Sequence, residues 1–204
     1  MKKYGFYIDT VNCSGCKTCQ VACQDKYDLE PGLLWRKIIN IEGGEWMDAD
    51  GVFSKYPFSY YISLACNHCS NPLCVHSCPT QAMYVTDIGT VDIDQDKCIG
   101  CGYCTWACPY DAPRLNPRSG KMSKCDMCYD KITNNEKPAC VEACPMRALD
   151  FGDIDELRAR YGNTQTIFPL ASPELTVPNI IIRPHKDSVK AAVENASIAN
   201  GEEL

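Results

Sequence analysis

Sixteen of the 204 residues are cysteines, and they fall into four groups of four with none left over. Group one is Cys13, Cys16, Cys19 and Cys23, and group three is Cys98, Cys101, Cys104 and Cys108; both read C-x2-C-x2-C-x3-C. Group two, Cys66, Cys69, Cys74 and Cys78, widens the second spacer to four residues, and group four, Cys125, Cys128, Cys140 and Cys144, widens it to eleven. Three groups end in Cys-Pro, at Pro79, Pro109 and Pro145, whereas the first ends Cys23-Gln24. Thiols in such runs can pair as disulfides, bind zinc or hold iron–sulfur clusters. Disulfides do not require tight runs, and structural zinc takes separated C-x2-C pairs, often with histidine. C-x2-C-x2-C-x3-C-P is a run that holds cubane clusters. Its fourfold recurrence favours four [4Fe-4S] clusters, with His68 and His76 as bystanders because sixteen thiolates already fill four sites.

The spacing dictates the elements around it. Three cysteines at short steps wrap a tight loop whose backbone N–H groups can face an anion. Gly15, Gly100 and Gly102 suit that loop, since glycine accepts positive φ at little cost. In groups one to four alike, the last two cysteines stand four apart, on one face of a helical turn and about 6 Å apart along its axis. The fourth therefore reaches a different cluster from its own group's first three, as in two-cluster ferredoxins. A following proline disfavours continuing that helix.

The chain also repeats itself. Ile8-Asp9 and the run to Cys23 match Ile93-Asp94 and the run to Cys108, at an offset of 85, and the surroundings of Cys74–Cys78 match those of Cys140–Cys144. Nineteen residues separate Cys78 from Cys98 and read as a hairpin, with strands at 82–85 and 90–93. Groups two and three thus form one ferredoxin-like unit, residues 66–109. Groups one and four form the other, residues 1–23 with 110–162, its hairpin assembled from Tyr4–Asp9 and Ala148–Phe151. The alternative, pairing group one with two and three with four, leaves 42 residues inside one unit. The favoured nested pairing gives four ligand sets: Cys13, Cys16, Cys19 and Cys144; Cys125, Cys128, Cys140 and Cys23; Cys66, Cys69, Cys74 and Cys108; Cys98, Cys101, Cys104 and Cys78.

Composition limits the alternatives. Leu, Ile, Val and Phe total 41 of 204 residues, the level at which a charged chain struggles to bury a core. Twenty basic against 26 acidic residues, without basic clusters, exclude a nucleic-acid partner. No run of about 18 apolar residues exists, so no direct membrane span is expected. Met1–Asp9 lacks the apolar stretch of a secretory signal, and no Arg-Arg pair is present. The chain has no nucleophile–base pair, Gly-rich phosphate loop or paired catalytic carboxylates, so a non-catalytic role is expected.

Between the groups, residues 24–65 read as a small β-rich insertion with strands at 36–41 and 58–64. Trp35, Trp46, Phe53, Tyr56, Phe58, Tyr60 and Tyr61 crowd it, as a local core or a partner-facing surface. Asp153–Tyr161 reads as a helix with Asp153 and Glu156 as a capping box and Gly162 at its end. Residues 163–204, punctuated by Pro169, Pro173, Pro178 and Pro184, read as an extended arm that buries little by itself and lies across a partner. Asp9, Asp94 and Asp96 are expected in solvated turns, Lys97 and Lys124 either at the surface or tuning a cluster by charge, and Tyr103 and Trp106 packed on a cluster. The fold class is α+β.

Further strings carry a resemblance: Tyr4-Gly5-Phe6, Gly15-Cys16-Lys17-Thr18-Cys19, Cys66-Asn67-His68-Cys69, Lys124-Cys125-Asp126, Arg147-Ala148-Leu149-Asp150-Phe151-Gly152 and Pro178-Asn179-Ile180-Ile181-Ile182. With the motif order and the eleven-residue spacer, the sequence resembles the iron–sulfur subunits (B subunits) of anaerobic dimethyl sulfoxide reductases, among the complex iron–sulfur molybdoenzymes. The resemblance implies a non-catalytic wire between a molybdopterin-containing catalytic subunit and an integral membrane anchor that oxidises quinol. It also implies a peripheral place on the membrane, on the outer face through an export signal on the catalytic partner, with the cytoplasmic face as the alternative. Nitrate-reductase relatives put Trp at one ligand position and build a three-iron cluster; here Cys101 and its counterparts are all cysteine. The competing readings are a free polyferredoxin, or the relay of a related formate dehydrogenase or hydrogenase complex.

Overall fold

The two distant strand pieces lie side by side in the computed structural model, which describes residues 3–44, 46–55, 57–192 and 196–204. In chain order the first half holds β1 (Tyr4–Asp9), α1 (Thr18–Tyr27), β2 (Lys37–Gly43), β3 (Trp46–Ala49), β4 (Val52–Lys55), β5 (Phe58–Leu64), α2 (Leu73–His76), β6 (Met83–Val85) and β7 (Val91–Ile93). The second half holds α3 (Tyr103–Ala107), β8 (Arg114–Asn116), β9 (Lys121–Ser123), α4 (Tyr129–Thr133), α5 (Ala139–Glu142), β10 (Leu149–Asp153), α6 (Ile154–Tyr161), β11 (Ile180–Arg183), α7 (Ser188–Ala191) and β12 (Ser197–Ile198). Strand β1 pairs antiparallel with β10, Tyr4 opposite Asp153 and Ile8 opposite Leu149. This ladder is the counterpart of the local hairpin β6–β7, where Met83 faces Ile93. The duplication seen as an 85-residue offset is therefore a duplication of strand–loop–helix units. The fold is α+β, with small sheets set around the cysteine loops.

The C-terminal arm corrects its expectation. Strand β11 adds parallel to the free edge of β1, with Phe6 opposite Ile180 and Ile8 opposite Ile182. Ile180, Ile181 and Ile182 are 0–1 % exposed, so the arm supplies core to its own chain. Its insertion makes β1 a central strand, covered on both faces. That is why residues 5–9 are buried without alternation. Further on, β12 pairs with β2, and Asn200 bonds both the N–H and the C=O side of that strand, at Asn40 and Ile38.

The insertion is a β2–β5 ladder from Lys37 opposite Leu64 to Gly43 opposite Phe58. Phe58 and Tyr60 are buried there with Ile180, Ile182 and Ala191, so these aromatics are core. Tyr56 and the side chains of Trp46 and Phe53 lie outside the described residues. Helix α6 starts as expected: the Asp153 carboxylate accepts from the N–H of Asp155 and Glu156, and Gly162 ends it at φ 91°. Helix α1 runs on to Tyr27, past Cys23, whereas its repeat α3 stops at Ala107, before Cys108 and Pro109. Gln24 keeps the N–H that a proline would lack, so nothing ends the first helix at its cysteine.

Candidate metal centres

Three pockets are each lined by four cysteines drawn from two groups. Cys13, Cys16, Cys19 and Cys144 line the first, Cys66, Cys69, Cys74 and Cys108 the second, and Cys78, Cys98, Cys101 and Cys104 the third. Each holds about 300 Å³ of space free of atoms, part of it open to solvent. The other four cysteines, Cys23, Cys125, Cys128 and Cys140, are 5–7 % exposed. Burial pushes the Cys23 thiol up to about 12, and the nearby Cys140 and Cys128 thiols add to the shift. We number these sets in spatial order: I (Cys13, Cys16, Cys19, Cys144), II (Cys23, Cys125, Cys128, Cys140), III (Cys66, Cys69, Cys74, Cys108) and IV (Cys78, Cys98, Cys101, Cys104). Cys19 and Cys140 share one buried cluster of side chains, Cys66 and Cys125 another, and Cys74, Cys98 and Cys104 a third. These shared clusters link the sets in the order I, II, III, IV.

One backbone device recurs in all four loops. The residue before the second cysteine is left-handed each time: Gly15 at φ 69°, His68 at 43°, Gly100 at 70° and Met127 at 68°. Non-glycine residues there carry a steric cost, and the loop must supply the compensation. His68 is fastened by Val91 N–H donating to Nδ1 at 3.0 Å. Burial first, and then the charge of Lys124, hold the His68 imidazole neutral. The repeated Asx turns before groups one and three set the loop entrances. Asp9 Oδ1 accepts from Val11 and Asn12 N–H, and Asp94 Oδ1 from Asp96 and Lys97 N–H. Asp9 is not the solvated residue expected: it is 4 % exposed and pairs with Arg183 Nη1 at 3.1 Å.

A second device follows each Cys-Pro. The third residue on is left-handed, at Gln81, Asp111 and Arg147, and its N–H bonds the cysteine carbonyl. The backbone then turns so that an alanine N–H points at the same cysteine's sulfur. Ala82 N–H donates to Cys78 Sγ at 3.2 Å and Ala148 N–H to Cys144 Sγ at 3.3 Å. Ala112 N–H does the same for Cys108. The repeat places this alanine four residues after the cysteine in three groups, but residue order alone does not say that its N–H serves the sulfur. Backbone N–H donors on the sulfurs suit a ligand that leaves negative charge on them.

Gly100 offers a local check. A Cβ at this position would run into the Gly120 carbonyl oxygen, and φ is 70°. Gly100→Ala is expected to cost about 1–2 kcal/mol from the left-handed backbone alone, with the contact adding to it. A thermal melt of the metal-loaded protein should show the loss together with a weakened set IV centre, while Gly102→Ala, with open space at its Cβ, should cost only the backbone part.

The donor set fits iron–sulfur clusters on chemistry. Burial raises the thiols of Cys13 and Cys104 to about 11 and of Cys69 to about 12. A thiolate at these places thus needs a bound cationic centre to exist at neutral pH. Among the described residues no three His, Cys, Asp or Glu side chains are placed to hold a single metal ion. Polar donors are also left unpaired beside the thiols: Asn67 Nδ2, on a residue lining the set III pocket, and Arg36 Nε and Nη2. The expected surroundings divide. Lys97 is at the surface, paired with Asp94 at 2.8 Å, whereas Lys124 is 3 % exposed. Tyr103 and Trp106 are 50 % and 80 % exposed and meet each other edge to face, so they do not pack on a centre. His76 is exposed.

Comparison with known proteins decides the family. A family profile described as a 4Fe-4S dicluster domain matches residues 57–154. The sequence is 46 % identical over 202 residues to the B subunit of anaerobic dimethyl sulfoxide reductase of Escherichia coli K12, covering 99 % of this chain and 98 % of that one. The protein belongs to this family of B subunits. It is also 35 % identical over 189 residues to the B subunit of polysulfide reductase of Wolinella succinogenes, covering 91 % and 96 % of the two chains. To a thiosulfate reductase electron transfer subunit of Salmonella typhi it is 38 % identical over 155 residues, 76 % of this chain and 78 % of the other. Like these B subunits and electron-transfer subunits, it is a non-catalytic iron–sulfur component of a reductase.

Proposed function

We propose that sets I to IV each hold one [4Fe-4S] cluster. The chain then relays electrons between a quinol-oxidising membrane anchor and a molybdopterin-containing catalytic subunit of a dimethyl sulfoxide reductase-type complex. The observation that supports this reading is the grouping of the thiols, three pockets of four cysteines each with buried clusters linking set I to II, II to III and III to IV. Cys16 and Cys101, the two exposed cysteines among the sixteen, belong to opposite ends of that line. Bound clusters would supply one-electron acceptors and donors. The protein's own residues keep water from the inner sets and fix their spacing through β1, β10 and the hairpin β6–β7. At the set IV end Ile99, Tyr103 and Trp106 are exposed beside Cys101. Exposed aromatic side chains of this kind suit a protein interface. At the set I end Val21 and Met146 are exposed in the same way. One partner docks at each end, and the chain sits peripherally, on the outer face of the membrane. No helix among the described residues is long and apolar enough to cross a membrane.

The test is purification of the native assembly with this chain tagged. About sixteen irons per chain, several interacting low-temperature paramagnetic signals on reduction, and co-purifying molybdopterin and membrane subunits are expected. A free, monomeric chain with full iron would instead make it a polyferredoxin-like carrier.

A further inference from the structure

Two cations are buried where the thiol sets meet. Arg36, just ahead of β2, is 2 % exposed. Its Nη1 donates to the Ser63 carbonyl oxygen and Oγ, both at 3.1 Å, and its guanidinium lies 4.6 Å from the centre of the Phe6 ring. Nε and Nη2 make no close hydrogen bond, and the Cys140 thiol faces the guanidinium. The groups that favour its charge most are the thiols of Cys140, Cys19, Cys125 and Cys23, that is, sets II and I. Lys124 is 3 % exposed, and its Nζ donates to the carbonyl oxygens of Val91 and Cys125. The Cys66 and Cys125 thiols act most strongly on it, with Asp92 and then Cys74 behind them.

Burying a charge without an opposite one is among the costliest things a fold can do. An arginine cannot escape by losing its proton. Its orphaned donors therefore call for an acceptor in that space, and the side chains around it are thiols. Set II is the one that both cations share, Arg36 through Cys23, Cys125 and Cys140, and Lys124 through Cys125.

We propose that Arg36 and Lys124 flank the cluster held by Cys23, Cys125, Cys128 and Cys140, compensate the electron it accepts, and so raise its reduction potential. The inference rests on the cluster reading above and names the residues that tune one of the sites. The step is a one-electron reduction, with no bond made or broken and no proton moved. The electron comes from a neighbouring cluster and leaves to the other neighbour. A fixed positive charge favours the form with one more negative charge, and does so most where water is excluded. Both residues act as positioning charges rather than as ligands.

The experiment is a redox titration of the intact complex, followed by low-temperature paramagnetic resonance, with iron measured in each sample. The signal of set II is first identified as the one lost in Cys128→Ala. Arg36→Met and Lys124→Met are each expected to keep the other three signals and shift this one downward. The expected size is at least tenfold in the reduction equilibrium, or about 59 mV for one electron. Arg36→Lys and Lys124→Arg, which keep the charge, should shift it less. An unmoved set II signal in iron-complete Arg36→Met or Lys124→Met overturns the proposal, as does a shift confined to another set. Where a methionine variant fails to assemble, the charge-neutral Arg36→Gln or Lys124→Gln is read by the same criterion. A parent complex without iron would instead overturn the cluster reading itself.

Discussion

Stripping the iron from the isolated chain is expected to abolish its cooperative thermal transition. The secondary structure is too short to stand alone. The longest helix, α1, has ten residues, and α2 and α5 have four each, where isolated helices below about 12–15 residues are marginal in water. The ladders β6–β7 and β8–β9 are three residues deep, and a lone two-stranded hairpin is marginal at best. Ten of the sixteen cysteines are buried. They occupy the positions that Leu or Ile would fill in an ordinary core, but a small thiol buries less apolar surface than those side chains. Metal binding in such a chain is folding free energy. Near-ultraviolet circular dichroism and calorimetry, with iron quantified in each sample, should show a sharp transition with iron and none after chelation under reducing conditions. Return of the transition with iron and sulfide would complete the expectation. An iron-free chain melting at the same temperature would refute it.

The part of this architecture legible from residue order is the part set by local spacing. The 85-residue offset located two equivalent loops, and the strands beside them appear at β1, β6, β7 and β10. Asp153, Glu156 and Gly162 announced α6 because capping is a contact between near neighbours. The overlooked features depend on distant partners. Ile180, Ile181 and Ile182 look like any proline-flanked apolar run. Only the edge of β1, more than 170 residues away, turns them into a parallel strand with no exposed face. Arg36 and Lys37 open the strand expected at 36–41, and nothing in their charge announces burial; both are buried because Ser63 and Asp111 come from elsewhere to meet them. Trp106 erred the other way. An aromatic two residues from both Cys104 and Cys108 looks like packing, but helix α3 turns it outward. The difference between Lys97 and Lys124, each directly before a cysteine, lies in β7, whose Val91 carbonyl receives the Lys124 ammonium.

The sharpest test of the nested arrangement compares three alanine variants. Cys140 lies in α5 and Cys144 just past its end, four residues on, yet they fall in different sets. Cys13 and Cys144 are 131 positions apart in the sequence, yet they line one pocket. Two facts force this. The ladder β1–β10 brings the loop after Asp9 to the turn before Leu149, with Asp9 N–H donating to the Ala148 carbonyl. Helix α5 then ends at Glu142, and the turn beyond it carries Cys144 into the pocket of Cys13, Cys16 and Cys19, while Cys140 stays inside the helix. Cys13→Ala and Cys144→Ala are therefore expected to remove the same paramagnetic signal and about four irons per chain, and the double variant should lose no more than either alone. Cys140→Ala should remove a different signal, and combining it with Cys144→Ala should cost both. Because Cys19 of set I and Cys140 of set II lie in one buried cluster, the surviving signal in each variant should also narrow as its magnetic neighbour disappears. If Cys140→Ala and Cys144→Ala removed one and the same signal, each cysteine group would be closing on itself. The line of four sites running from Cys16 to Cys101 would then have no chemical basis.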